Sequence, residues 1–225
     1  MTLSVTTDRT QGGSSMVDGS VELMVHRRLQ HDDSRGVGEP LNEPGLDATG
    51  SGLVIRAVHR VSVMPAALAP AHGKQNIQDL TFRPLVTFSA LKAGATPASW
   101  LAANVGAWTG AGAALPPSIH ILTTHAWTQH DVLVRLAHLF ESGEDAALSA
   151  PVTVDLTTLY VGRTLSACVE QTVPASQPIA NVPVRTVNIK GEGPSTFPTI
   201  PAPPSGDPQT VTISEMEVRT WLCKY

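Results

Sequence analysis

The chain has 225 residues, 42% of them hydrophobic and only 15% charged, so it can bury a sizeable core. Its formal charge of −4 argues against a nucleic-acid-binding protein, which presents a concentrated basic surface. No stretch approaches the ~18 consecutive apolar residues of a membrane-spanning helix, so no membrane span is predicted. Gly and Pro number 18 each, which favours a loop-rich β protein over a helical bundle.

The first third of the chain shows the alternation of apolar and polar residues that is typical of half-buried strands. Met1–Thr6 resembles the inside of a strand and not a signal peptide, so we expect the chain to be a fragment of a longer protein. Val21–Leu29 and Leu53–Val63 alternate with a period of two, and the second is the longest predicted strand.

The middle of the chain carries weaker signals. Residues 94–114 are rich in Ala and Gly, with two tryptophans and little periodicity, and they predict a long surface insertion. A short helix is expected near Pro97–Val105, because Pro97 suits a first helical turn.

The second half returns to strands. Val132–Phe140 also fits a helical stripe, but its shortness and its neighbours favour a strand. The closing strand shifts its apolar phase near Ser214 or Glu215, which predicts a bulge there. The strands predicted in this half are Ile119–Trp127, Val132–Phe140, Val152–Leu156, Thr164–Glu170 and Val211–Leu222.

Many short strands without a βαβ rhythm predict an all-β fold, an antiparallel β-sandwich with long loops. The main sandwich domain is expected to span residues 1–173. Residues 174–225 would add a Pro-rich extended connection, up to about residue 208, and a C-terminal strand that packs back on the sandwich.

Few residues suggest chemistry of their own. Cys168 and Cys223 cannot form a four-ligand zinc site unaided, and two unpaired cysteines are favoured over a bridge. The histidines show no paired spacing on a helix, so no metal is assigned to this chain. Four of them fall in the hairpin region, namely His120, His125, His130 and His138.

Two charged clusters remain. Asp32 and Asp33 are adjacent, whereas the carboxylates of a glycosidase flank a sugar bond across several ångströms, so a turn-anchoring role is favoured. Arg27 falls on the apolar phase of its predicted strand, where a guanidinium needs acceptors. An ion pair with Asp8, Asp32 or Asp33 is favoured over an arginine offered to a polar ligand or a neighbouring site.

Three nearly continuous segments strongly resemble class II α-mannosidases of the lysosomal type, glycoside hydrolase family 38. They read DRTQGGSS at Asp8–Ser15, DGSVELMVHRRL at Asp18–Leu29 and DDSRGVGEPLNE at Asp32–Glu43. The Ala/Gly/Trp-rich insertion and the Pro-rich stretch depart from the family pattern. Shorter segments that also look like this family are Leu115–Thr123, Gly143–Asp145, Leu148–Val152 and Ile213–Thr220.

The resemblance implies the C-terminal, galactose-mutarotase-like β-region of a retaining exo-hydrolase that removes α-linked mannose from N-glycans in a lysosome or vacuole. The nucleophile and the zinc would lie on an N-terminal catalytic barrel that this chain lacks, so no catalytic residue is assigned here and the chain alone is expected to be inactive. In related enzymes an arginine from the strand equivalent to His26–Leu29 approaches the sugar. Arg28 is placed first in that substrate-binding role and Arg27 second.

Two other hypotheses compete with an enzyme fragment. A free-standing carbohydrate-binding module would need a groove lined with aromatic residues, which the sequence shows only as scattered Tyr and Trp. A purely structural interaction module has no sequence feature in its favour. The enzyme fragment predicts instead an exposed apolar patch where the barrel would dock.

Overall fold

The computed structural model describes residues 1–46, 49–112, 115–183, 186–189, 193–196 and 209–225, with 186–189 and 193–196 described through their backbone. The chain forms two compact units, residues 1–86 and 87–225. The predicted division into domains 1–173 and 174–225 stays a prediction. In the described residues no helix is long and apolar enough to span a membrane.

The N-terminal unit is built on two antiparallel strand pairs and one helix. Strands β1 (Thr2–Thr7) and β4 (His59–Met64) pair in register, with Val5 opposite Val61. Strands β2 (Gly13–Ser14) and β3 (Glu22–Leu23) form a small hairpin.

Helix α1 (Ala69–Thr81) covers one face of the β1–β4 pair. Its Leu80 and Asn76 are buried, and His72 Nε2 lies 2.9 Å from Ser62 Oγ on β4. The sequence did not reveal this helix, because Ile77 is half exposed and the few buried positions leave no apolar stripe. Pro70, at the start of the helix, is the local signal that was available.

Two predicted strands of this unit are much shorter than expected. Only Glu22–Leu23 of Val21–Leu29 and only His59–Val63 of Leu53–Val63 are strand. The hairpin offers β3 a two-residue partner, so the chain leaves the ladder soon after Met24, whose amide donates to Gly12 O (2.9 Å). Alternation indicates which face a strand would bury but does not supply the neighbouring strand.

The C-terminal unit holds a four-stranded antiparallel sheet. The order is β5 (Ile119–Ala126), β6 (Asp131–His138), β12 (Val218–Lys224), β8 (Ser166–Gln171). A second pair joins β7 (Val152–Asp155) to β11 (Thr210–Ile213), and a third joins β9 (Thr186–Ile189) to β10 (Gly193–Thr196).

The core of this unit lies between the four-stranded sheet and the β7–β11 pair. Val134 and Leu136 on β6, Ile213 on β11 and Trp221 on β12 are at most 2% exposed and belong to one apolar cluster. Strand β6 is buried on both faces, which explains why its sequence lacks clean alternation and also fitted a helix. The predicted fold class, all-β with antiparallel sheets in a sandwich-like arrangement, is confirmed.

The predicted closing strand Val211–Leu222 is two strands in two different pairings. Residues between Ile213 and Val218 form a turn in which Met216 takes a positive φ of 59°. The expected bulge near Ser214 was therefore wrong, because the phase shift marks a change of sheet. Strand β12 then lies inside the four-stranded sheet.

The expectation of unpaired cysteines was also wrong. Cys168 on β8 and Cys223 on β12 form a disulfide between neighbouring strands. Both residues are at most 5% exposed and lie in the core cluster. The pairing depends on strand order, which neither cysteine's local sequence encodes.

The two predicted loop regions are partly ordered. Helix α2 (Pro97–Ala103) forms within the insertion at 94–114, and Thr96 and Ser99 cap its N-terminus reciprocally. Residues 113 and 114 of that insertion lie outside the described residues. Within the predicted Pro-rich connection, residues 184, 185, 190–192 and 197–208 also lie outside them.

Candidate functional site

The candidate site of the N-terminal unit surrounds the β2–β3 hairpin. Residues on both sides of the hairpin and the loop after it enclose a cavity of about 350 Å³. The tip of the Met24 side chain lies so close over Gly12 that a Cβ there would be 2.4 Å from it. The lining residues are Thr10, Gln11, Gly12, Met24, His26, Arg27, Leu41 and Glu43.

Arg28 is engaged by its own chain. Its Nε donates to Asn42 Oδ1 at 2.6 Å, and its Nη1 donates to Gly50 O at 3.2 Å. The guanidinium also lies against Gly52, where a Cβ would be 3.3 Å from Nη1 and where φ is +94°. Asn42, Gly50 and Gly52 therefore surround the Arg28 guanidinium.

Arg27 has the opposite environment. It is exposed, lines the cavity, and has no hydrogen bond or ion pair among the described residues. The predicted pairing with Asp8, Asp32 or Asp33 is not formed: Asp8 bonds Arg9 (3.2 Å). Because no strand forms at Arg27 and the side chain stays in water, its guanidinium needs no protein partner.

The adjacent aspartates lie outside this cavity. Asp33 Oδ1 accepts the Arg35 amide at 3.0 Å, an Asx-type turn contact of the kind expected for a turn anchor. Neither aspartate lines the cavity.

Gln11 is a cavity residue that sequence reasoning missed. Its Oε1 lies 2.8 Å from His59 Nε2 on β4, while its Nε2 is buried and has no hydrogen-bond partner among the described atoms. Buried amide donors are normally satisfied, so Nε2 offers a donor to a ligand in the cavity. Gln11 does fall within the DRTQGGSS motif, which was the available signal.

The four histidines of the hairpin region have separate surroundings. His138 is buried; the Phe140 amide lies 3.2 Å from its Nδ1, and its Nε2 lies 3.1 Å from Ala150 O. Burial lowers the pKa of His120 below its ordinary value. In the part of the chain that the structure describes, no three His, Cys, Asp or Glu side chains could hold a metal ion.

Proteins named alpha-mannosidase are among those to which this chain is similar. The chain is 41% identical over 224 residues to lysosomal alpha-mannosidase of Felis catus and 40% identical over 229 residues to that of Homo sapiens. An alpha-mannosidase of Arabidopsis thaliana is 32% identical over 228 residues. Each match covers 99% of this chain, whereas no protein-family model matches it.

These matches confirm the resemblance that the sequence motifs indicated. The chain spans 21% of the length of the feline and human proteins and 22% of the Arabidopsis protein. It is therefore similar to about one fifth of each relative.

Proposed function

We propose that this chain, whose sequence belongs to the α-mannosidase family, is the non-catalytic C-terminal portion of a retaining α-mannosidase that hydrolyses terminal α-linked mannose of N-glycans. It would support the catalytic barrel of that enzyme and supply an arginine to the sugar site. The zinc would be bound by the barrel. The observation that carries this proposal is the match to α-mannosidases along 99% of the chain.

An exposed apolar face supports docking of the barrel. Opposite helix α1, the β1–β4 pair presents Leu3 facing Val63 and Val5 facing Val61. Leu3, Val61 and Val63 are 47%, 64% and 63% exposed. A sheet with one face covered by a helix and the other face apolar and open is typical of an interaction surface.

This face adjoins the cavity that holds Arg27. His59, Val61 and Val63 are every second residue of β4, so their side chains lie on the same face of the pair. The imidazole of His59 contacts Gln11 of the cavity. A barrel that covers the apolar face would therefore lie beside the Arg27 side chain.

The geometry favours Arg27 over Arg28 as the sugar contact, which reverses the order expected from the sequence. The Nε and Nη1 nitrogens of Arg28 already donate to Asn42 and Gly50. Arg27 keeps its five N–H donors available, since none of them bonds a described residue. Adjacent sugar hydroxyls can accept from such a fork, with Glu43 and Gln11 of the same cavity near it.

A chimeric enzyme tests the proposal. The chain replaces the matching fifth of the feline lysosomal alpha-mannosidase, and hydrolysis of an aryl α-mannoside is measured. The chimera is expected to be active. A charged hydrogen bond contributes about 1.5–3 kcal/mol, so Arg27→Ala should lower kcat/KM by about 10- to 150-fold.

Arg35→Ala is the matched control, because Arg35 is an exposed arginine of the same unit whose contact is made by its backbone. It should leave kcat/KM unchanged. Full activity in both the Arg27→Ala and Arg28→Ala chimeras would refute the arginine contribution. A chimera that folds cooperatively yet hydrolyses nothing would refute the supporting role.

A free-standing carbohydrate-binding β-sandwich module is the second candidate. One observation favours it: aromatic residues that are scattered in the sequence converge on a single cavity in the C-terminal unit. Such a module would bind glycans without a barrel and would leave the chimera inactive.

A further inference from the structure

The C-terminal unit contains a second cavity, of about 520 Å³, with aromatic walls. Its volume falls within the ~300–1,000 Å³ of small-molecule sites. The floor includes Val132 and Leu165, both buried in the core. The remaining lining residues are Trp108, Gly110, Thr124, Ala126, Tyr160, Val161, Arg163 and Tyr225.

Backbone hydrogen bonds hold residues 110–112, which follow Trp108, beside Tyr160. The Gly112 amide donates to Leu159 O at 2.9 Å, and the Val161 amide donates to Gly110 O at 3.0 Å. At Gly112 a Cβ would lie 2.2 Å from Thr158 O, so the two segments approach this closely because residue 112 is glycine. Residues 110 and 112 are thereby held against residues 159 and 161.

Trp108 is 76% exposed although it is the largest apolar side chain of this rim. Its indole lies over Gly110, where a Cβ would be 3.1 Å from Cη2. An indole left in water gains free energy when a ligand covers it. The position is therefore suited to stacking on a flat apolar surface.

Polar groups stand beside these aromatic faces. The Tyr160 hydroxyl lies 2.6 Å from Thr124 Oγ1, and burial raises the pKa of that phenol, so it remains a hydrogen-bonding O–H at neutral and acidic pH. The Arg163 guanidinium lies 4.7 Å from the centroid of the Tyr225 ring. Among the described residues it has no hydrogen-bond acceptor, so its N–H groups are available to a ligand.

We propose that the cavity bounded by Trp108, Tyr160, Arg163 and Tyr225 binds a neutral pyranose ring of a glycan. The C–H groups on one side of a pyranose carry a weak positive charge that the negative face of an aromatic ring attracts. The hydroxyls around the ring's edge can exchange hydrogen bonds with Tyr160, Thr124 and Arg163. Among the described residues that line the cavity none is Asp or Glu, and the one charged side chain is Arg163, so the lining repels a cationic ligand.

This inference does not depend on the proposed mannosidase role, and it names the ligand and the site residues that the second candidate function would require. Trp108 belongs to residues 94–114, which lie outside the motif segments that carry the resemblance to α-mannosidases. The cavity would give this chain a glycan contact that the family resemblance does not imply.

Titration of the complete 225-residue chain with sugars tests the proposal. The indole N–H signals of the four tryptophans are followed by NMR while methyl α-mannopyranoside or N-acetylglucosamine is added at millimolar concentrations. The Trp108 signal, identified by its loss in Trp108→Phe, should shift saturably with at least one sugar. The signal of Trp127, which is 49% exposed and outside the cavity, should stay in place.

Single substitutions measure how much each side chain contributes to sugar affinity. Trp108→Ala should weaken the association constant about tenfold, and Tyr160→Phe should weaken it about fivefold. Trp127→Ala is the matched control, since it removes an exposed indole elsewhere in the same unit, and it should bind like the unchanged chain. Because Trp108 is mostly exposed, its replacement does not threaten the core.

Several results would overturn the proposal. One is the absence of a Trp108 shift with either sugar, and another is unchanged sugar binding by Trp108→Ala. A Trp108 response to inorganic phosphate or to a proline-rich peptide, without a response to sugars, would assign the cavity to another ligand class. An active chimera without this sugar response refutes only the inference, whereas a sugar response with an inactive chimera refutes only the proposed function.

Discussion

The disulfide between Cys168 and Cys223 should be a major source of stability for the C-terminal unit. It closes a loop with a sequence separation of 55 residues and joins two neighbouring strands of the core sheet. For a loop of that length the chain-entropy treatment gives about 4 kcal/mol, because the bridge restricts the unfolded chain. In a domain of this size the loss corresponds to a fall in Tm of about 10–15 °C.

Thermal unfolding with and without reductant measures this directly. The unchanged chain should unfold at the lower temperature once reduced, and a thiol assay on the unreduced, denatured chain should find no free cysteine. Cys168→Ala/Cys223→Ala is the control, because reductant should not alter its Tm. Two free thiols per chain before reduction, or a Tm that reductant leaves unchanged, would refute the reasoning.

Three further predictions concern single side chains. Arg28→Ala should speed hydrogen exchange of the Gly52 amide, since the loop loses two hydrogen bonds from the guanidinium. Glu170→Gln should lower the free energy of unfolding by about 1–3 kcal/mol, measured by urea denaturation, because Arg219 donates two hydrogen bonds of 2.8 and 2.6 Å to this largely buried carboxylate. His120→Gln should flatten the fall in stability below pH 6.5, since burial lowers the pKa of His120 and protonation therefore favours the unfolded chain.

Each of these has an outcome that contradicts it. For Arg28, equal Gly52 exchange in the Arg28→Ala and Arg27→Ala variants would mean that the guanidinium does not hold the loop. For Glu170, urea curves that coincide with those of the unchanged chain would show the pair to be fully screened. For His120, the direction of the pH effect follows from a pKa that is lower in the folded chain than in the unfolded chain. The contribution of neutral His120 to the free energy of unfolding is complete above pH 6.5 and is lost as the pH falls through the pKa of the folded chain. An NMR titration of the ring with a pKa above 6.5 would reverse it.

The sequence allowed the β5–β6 hairpin to be predicted well, because both strands are long and lie beside each other along the chain. The strands predicted at Val21–Leu29 and Leu53–Val63 are longer than the observed ones. Both segments do alternate, but the strands that pair with them are short. The sequence predicted Val211–Leu222 as one strand, although the apolar phase shift there moves the chain from one sheet to another. Local patterns record which side chains are buried and not what they are buried against.

The same limit applied to the sites. The motif segments pointed to Arg27 and Arg28 as neighbours in a substrate-binding role, but their different environments arise from the hydrogen bonds that Asn42 and Gly50 accept from Arg28. Gln11 and His59 are 48 residues apart in sequence and meet across the β1–β4 end of the N-terminal unit. That contact could not be predicted from either residue's surroundings in the sequence.

By itself, the sequence determined the β-rich class, the pairing of β5 with β6 and the kinship with α-mannosidases, since composition, periodicity and motif identity are local properties of the chain. Only the tertiary structure decided the cysteine pairing, the opposite environments of Arg27 and Arg28, and the convergence of Trp108, Tyr160 and Tyr225 on one cavity. Those features depend on distances between residues far apart along the chain, and packing and strand order set such distances.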